Sequence, residues 1–175
     1  IKANPEKANF GVPATGSLPH FFALMMNKTT NTNSPVIGYK GSAPLNTDLM
    51  GGHVPVAIDT VDTMLPLHIA GKIKILGTSG EKRSVPTIPT LKESGFNIAA
   101  TGWNVIFAKS SMPADKAARI AKEVAAIMQL PAVRDKFINA KAEPISSTQQ
   151  QTKEMLSKFK AQWQPVIQQS GLKFD

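Results

Sequence analysis

The first hundred residues repeat one unit: a short apolar run, a joint of glycine or proline, then a segment with helical spacing. Residues 7–12 (KANFGV) form an extended run that stops at Pro13, because proline has no N–H to give a central ladder. Residues 34–40 (SPVIGYK), 54–59 (VPVAID) and 73–79 (IKILGTS) are three more runs of this kind. Between them lie SLPHFFALMMNKTT, a piece from Ala43 that stops at Gly51 and Gly52, and TVDTMLPLHIAGK, which closes at Gly71. In the first of these, Leu18, Phe21, Phe22, Leu24 and Met25 stand at helical spacing, and Pro19 falls in the first turn, where its missing N–H costs nothing. Strands joined through helices pair in parallel and carry helices on both faces. The rhythm therefore predicts an α/β fold with a mostly parallel sheet flanked by helices.

After Val85 the pattern changes. VPTIPTLKESGF predicts an extended turn leading into one helical turn at 91–94, and residues 101–109 (TGWNVIFAK) predict a further long strand. Beyond it only helices are expected: 113–128 with Ala117, Ile120, Val124 and Ile127 on one face, then 131–140, then 147–170. In the last, Met155, Leu156, Phe159, Trp163, Val166 and Ile167 make a wide apolar stripe, and Pro165 is expected to kink or restart the helix. Three amphipathic helices without further strands have no sheet to bury against. Their apolar faces are expected to be exposed in a 175-residue monomer, with homodimerisation through exchanged or stacked helices, or cleavage of an N-terminal part, as the consequence.

Composition narrows the function classes. Hydrophobic residues are 42% and charged ones 18% of 175 residues, enough for a core and no case for disorder, in one ordinary domain or a piece of a two-lobed protein. The absence of cysteine removes disulfides, thiolate metal sites and a cysteine nucleophile. No run of 18 apolar residues offers a membrane span, and the opening IKANPEKANF lacks the apolar core of a signal peptide. A net charge of +8 favours anionic partners. The basic residues are scattered, Lys82-Arg83 being the densest place, and only one Tyr, two Trp and eight Phe are available to stack bases. The charge reads as a bias toward small anions or as solubility, so no nucleic-acid partner is expected. His20, His53 and His68 are far apart, so no metal site is expected, and no cofactor.

ATGSLPH (residues 14–20) stands between the first run and its helix. Free backbone N–H groups with the positive end of a helix dipole behind them, joined by the Thr15 and Ser17 hydroxyls, form a carboxylate or phosphate cradle. Thr15 or Ser17 is equally an ordinary helix cap, and both readings stay open. Neither G-x-x-x-x-G-K-[ST] nor G-x-G-x-x-G occurs, which argues against a nucleotide. Ser17 and His20, three apart, with Asp59 as a third member, suggest a hydrolase, but the G-x-S-x-G elbow is missing. Asp59 and Thr60 close the run 54–59, at the strand ends where parallel sheets hold ligands, and Asp59 also suits a cap. YKGSAP (39–44) repeats the strand, glycine, hydroxyl, helix arrangement and brings Tyr39, Lys40 and Ser42 to the same edge, although a lone lysine is usually solvated.

The ordered set NFGVPATGSLPH, YKGSAPLNTDLMGGHV, AIDT, LPLHIAGKIKILGTSGEKRS, VPTIPTLKESGF and GWNVIFA resembles the Bug-type extracytoplasmic solute receptors, the substrate-binding receptors of tripartite tricarboxylate transporters, from the first residues to the final SGLKFD. The resemblance implies a type II periplasmic binding protein fold with two α/β lobes that close over a ligand. It implies that residues 1–100 are the second, ligand-binding lobe and that residues 101–175 are the crossing strand and helices returning to a first lobe most of which is missing. It also implies a periplasmic, non-enzymatic receptor. Such a receptor binds a small carboxylate (a di- or tricarboxylate, an amino acid or an aromatic acid) and delivers it to membrane transporter subunits. On that resemblance the ligand positions are Thr15, Gly16, Ser17 and His20, with Asp59 and Thr60 at the next loop, Asp59 suiting a polar or amino group or an ordered water. Three residues depart from the family pattern: Pro55 where an Asp is usual, Gly38 where a proline is usual, and Ala14 where a glycine is common. The rival classes are a Ser/His hydrolase and the effector-binding lobe of a transcription regulator.

Overall fold

The computed structural model describes Asn4 and residues 8–172. Lys7, at the start of the first expected strand, lies outside the described residues, as do Lys173, Phe174 and Asp175 of the closing SGLKFD. The described chain runs β1 (Phe10–Val12), α1 (Leu18–Thr30), β2 (Val36–Gly38), α2 (Ser42–Met50), β3 (Val56–Ala57), α3 (Val61–Ile69), α4 (Ala114–Ile127), α5 (Pro131–Asn139) and α6 (Gln149–Ser170). It forms two compact units, one of residues up to Thr101 together with those from Trp163, the other of Gly102–Gln162.

The sheet of the first unit is parallel, as the rhythm predicts, in the order β2-β1-β3. Phe10 pairs with Val36 and Val56, and Gly11 with Ile37 and Ala57, so the short central strand is held on both edges. Alternation along β1 separates two layers. Phe10 and Val12 pack with Ala23 of α1, with Met26, Val36, Val56 and Ile58 around them. On the other face Leu45 of α2, Val54 and Met64 of α3 form a second cluster, bordered by Tyr39, Leu49, Ala57, Ile73 and Ile75. Gly11 is the residue of β1 that lets this second layer come close: a Cβ there would stand 2.5 Å from Leu45 Cδ1.

Two expected strands are not formed. Residues 73–79 contribute only the isolated parallel bridge Thr78 to Thr90. Ile73 and Ile75 alternate inward onto the Leu45 cluster as a strand would, but the Ile75 N–H donates to His68 Nδ1 at 3.3 Å instead of to a neighbouring strand. Residues 102–108 make no backbone hydrogen bond among the described residues, and the last bond before them is Ala100 N–H to Ser79 O at 2.8 Å. A strand needs a partner as well as a pattern, and among the described residues none pairs with this segment. The helical turn after Pro89 is present as one α-turn, Ser94 N–H to Thr90 O at 3.1 Å. It is capped reciprocally by Thr90 and Glu93, and the Arg83 guanidinium holds both Glu93 oxygens at 2.8 and 3.1 Å.

In the second unit α4 and α5 bury no residue fully, and Ile106, Phe107, Ile127, Leu130 and Ile138 are each at least half exposed. The expected exposure holds for α4 and α5 but not for the stripe of α6, where Met155, Leu156, Phe159, Val166 and Ile167 are half-buried and Trp163 is buried. Helix α6 does not restart at Pro165 but runs through it, and the carbonyl that Pro165 cannot satisfy belongs to exposed Ala161, within reach of water.

Candidate functional site

Parallel strands deliver every following helix to the same edge of the sheet. Here three helices begin there side by side: α1 after β1 with N-cap Ser17, α2 after β2 with N-cap Gly41, and α3 after β3 with N-cap Thr60. Main-chain bonds tie the three turns together. Tyr39 N–H donates to Val12 O at 2.9 Å, Gly41 N–H to Pro13 O at 2.8 Å, and Ile58 N–H to Gly11 O at 2.9 Å. Each helix start carries backbone donors without an intrahelical partner and the positive end of a dipole, so the edge is suited to anions.

The ATGS turn is the most structured of the three. Gly16 has φ +76, the left-handed region that favours glycine. Ser17 is a true cap: its Oγ accepts from His20 N–H at 3.4 Å and donates its own proton to Ala14 O at 2.7 Å. The Gly16 N–H is directed at His20 Nδ1, 3.4 Å away. The donors without partners here, among the described residues, are the exposed Thr15 N–H and hydroxyl and the Leu18 N–H. Sequence reasoning named the residue types but missed the Leu18 amide, because a main-chain donor leaves no mark in the side-chain pattern.

His20 is 8% exposed and lies 5.8 Å from the Phe21 ring, centroid to centroid. Burial pushes its pKa below the usual 6.5, and Nδ1, as acceptor from Gly16, places the neutral ring's proton on Nε2. An unfolded histidine takes up its proton first as the pH falls, so this contribution to stability is complete above about pH 6.5 and is lost as the pH drops through 6.5 toward the lower native value. Urea midpoints measured from pH 8 to pH 5 are expected to decline in this window and to decline less in His20→Asn, whose amide oxygen can still accept from Gly16. Equal slopes in the two proteins would remove His20 as the cause.

Asp59 Oδ1 accepts from Thr60 N–H at 2.8 Å, and its Oδ2 is covered without a hydrogen-bond partner. Thr60 Oγ1 lies 3.2 Å from Thr63 Oγ1 and makes no cap bond, which leaves the Val61 and Asp62 amides open among the described residues. Gly41 at the third turn has φ +108, and a Cβ there would meet nothing within 4 Å, so the space beside it is open. Lys40 next to it is exposed.

Ser17, His20 and Asp59 do not assemble as a hydrolase triad. The Ser17 proton goes to a carbonyl and the His20 acceptor nitrogen to Gly16, so no base is set against the hydroxyl. Among the described residues no three His, Cys, Asp or Glu side chains come together to hold a metal ion. Surface depressions in the second unit, beside Met155 and beside Ala125, include none of the candidate residues.

The family model of the tripartite tricarboxylate transporter family receptor matches residues 1–172. The chain belongs to the tripartite tricarboxylate transporter receptor family. Among curated members of that family's relatives, BugT of Bordetella pertussis is 27% identical over 175 residues, 98% of this chain and 54% of BugT. The chain spans about half the length of the curated relatives it matches. The R. palustris protein Rpa4515, solved with adipate, is 27% identical and superposes with a TM-score of 0.86, covering 97% of this chain and 59% of that one. MatC from Rhodopseudomonas palustris, solved with bound malate, shares the fold at 19% identity with a TM-score of 0.79, covering 95% of this chain and 59% of that one. The α/β lobe with its parallel sheet is thus the fold of these solute-binding receptors, and among the described residues no helix is long and apolar enough to cross a membrane.

Proposed function

We propose that the chain carries the ligand-binding lobe of a periplasmic receptor that takes up a small carboxylate and hands it to the membrane subunits of a tripartite tricarboxylate transporter, without catalysing a reaction. Residues 1–100 are the ligand lobe in this reading, and residues 101–175 return toward a first lobe, so that binding closes two lobes over the ligand. The observation that carries it is the convergence of three helix starts on one sheet edge, with open donors at Thr15, Leu18 and Val61. Thr15 and Gly16 line the first turn, Ser17 and His20 fix its shape, and Asp59 and Thr60 border the neighbouring turn. The relative solved with adipate supports a carboxylate as the ligand class. The exposed apolar faces of α4 and α5 support self-association of the 175-residue chain, which light scattering reads directly.

Titration of the 15N-labelled chain with adipate is expected to move the amide resonances of Thr15, Gly16, Leu18 and Val61. Ser17→Ala, which removes the cap bond at a typical loss of about 1 kcal/mol, is expected to weaken this response. No response in the intact chain defeats the proposal. Ester hydrolysis that vanishes in Ser17→Ala while adipate binding persists favours the hydrolase instead.

A further inference from the structure

Among the described residues His20 is the ionisable side chain that is buried, and its Nδ1 stands 3.4 Å from the Gly16 nitrogen, on the turn read above as the ligand's. Nδ1 can accept the Gly16 N–H only while the ring is neutral. A proton taken from solvent onto Nδ1 turns the acceptor into a donor and sets two N–H groups against each other across the contact. The bond is lost, and both groups then need an acceptor. A carboxylate oxygen on the turn supplies one, taking the Gly16 N–H and facing the imidazolium beside the open Thr15 and Leu18 donors.

The surrounding elements offer no other counter-charge to the ring. His20 lies in the first turn of α1, where the positive end of the helix dipole disfavours a cation, as burial does. Helix α1 packs on β1 and β2, and neither strand has a titratable side chain. On α1 itself Lys28 lies in the last turn and donates to Gln169 Oε1 at 3.2 Å, and residues 163–170 of α6 carry no titratable group. Beyond the strands, the Tyr39 O–H donates to Asp48 Oδ2 at 2.9 Å, Lys40 is exposed, and Asp59 Oδ1 accepts from Thr60 N–H. Among the described residues no carboxylate is paired with the ring. We propose that His20 couples carboxylate binding to proton uptake, the proton entering on Nδ1 and the carboxylate settling against the freed Gly16 N–H and the imidazolium. This regulation rests on the reading of the turn as a carboxylate cradle. The bound anion raises the pH at which His20 takes its proton, so affinity rises as the pH falls through that value.

The test measures adipate affinity at pH 8 and at pH 6 in the wild-type chain and in His20→Asn, whose amide can accept from Gly16 but takes no proton in this range. Relative to the variant, wild-type affinity is expected to rise about threefold on acidification, the factor for a ring whose midpoint lies about one pH unit higher with ligand than without. Protonation of the ligand itself affects both proteins alike and drops out of the comparison. His20 ring resonances of the wild-type chain, followed against pH with and without saturating adipate, give a second reading that stands even where His20→Asn does not fold. The ring midpoint is expected to move up with adipate, whereas a histidine that only shapes the turn keeps it in place. Equal pH dependence in the two proteins, tighter wild-type binding at pH 8, or a ring midpoint that stays or falls overturns the coupling and leaves the cradle standing. A wild-type chain that binds no adipate at either pH overturns the cradle itself.

Discussion

Leu45→Ala is expected to lower the unfolding free energy by about 2–5 kcal/mol, read from urea denaturation of the two proteins side by side. Leu45 has no exposed surface and sits at the centre of the cluster formed with Val54 and Met64. It faces Gly11, which has no side chain to move into the vacated space, and the neighbouring strand is pinned on both edges by β2 and β3. The cavity therefore cannot collapse easily, which places the loss toward the upper part of the range. Small domains hold only about 5–15 kcal/mol in total, so the variant is expected to be partly unfolded well below the wild-type melting temperature. A loss under about 1 kcal/mol would mean that α2 does not pack on β1 as described.

The converse substitution is expected to fail for the opposite reason. Gly11→Ala puts a methyl carbon 2.5 Å from Leu45 Cδ1, 3.2 Å from Val54 Cγ1 and 3.3 Å from the Tyr39 ring, and overpacking of this kind costs about 1–3 kcal/mol. The two variants share one contact, so they should not add. In Gly11→Ala/Leu45→Ala the new methyl enters space that the leucine has left, and the double variant is expected to be more stable than the sum of the single losses by about 0.5–3 kcal/mol. Strict additivity would deny the contact between β1 and α2.

How far the sequence reveals this molecule depends on whether the information is local. The alternation of Phe10, Gly11 and Val12, the proline stop at Pro13 and the spacing from Leu18 to Met25 are local, and β1 and α1 lie where these predict. The same kind of pattern at 73–79 and 101–109 promises strands that are not there, because pairing depends on a second segment that the pattern does not mention. At the candidate site, Ser17 is legible as a cap or a ligand donor but not as one of the two. The direction of its hydroxyl proton is decided by the Ala14 carbonyl, and the fate of the Gly16 amide by the His20 ring one turn on. The close approach of Gly38 to Thr15 is likewise invisible in the sequence, since it arises from the turn of another strand lying against it.

An edge whose open donors are mostly peptide amides has a consequence for how such a chain can diverge over generations. Substituting Leu18 or Val61 changes a side chain and leaves its N–H where it was, so most of the chemistry that greets an anion is shielded from mutation. The groups offered to the proposed ligand are then less open to substitution than the small residue that lets α2 come close to the sheet, Gly11. In the receptor proposed above, side chains at the rim can therefore change while the main-chain donors stay in place.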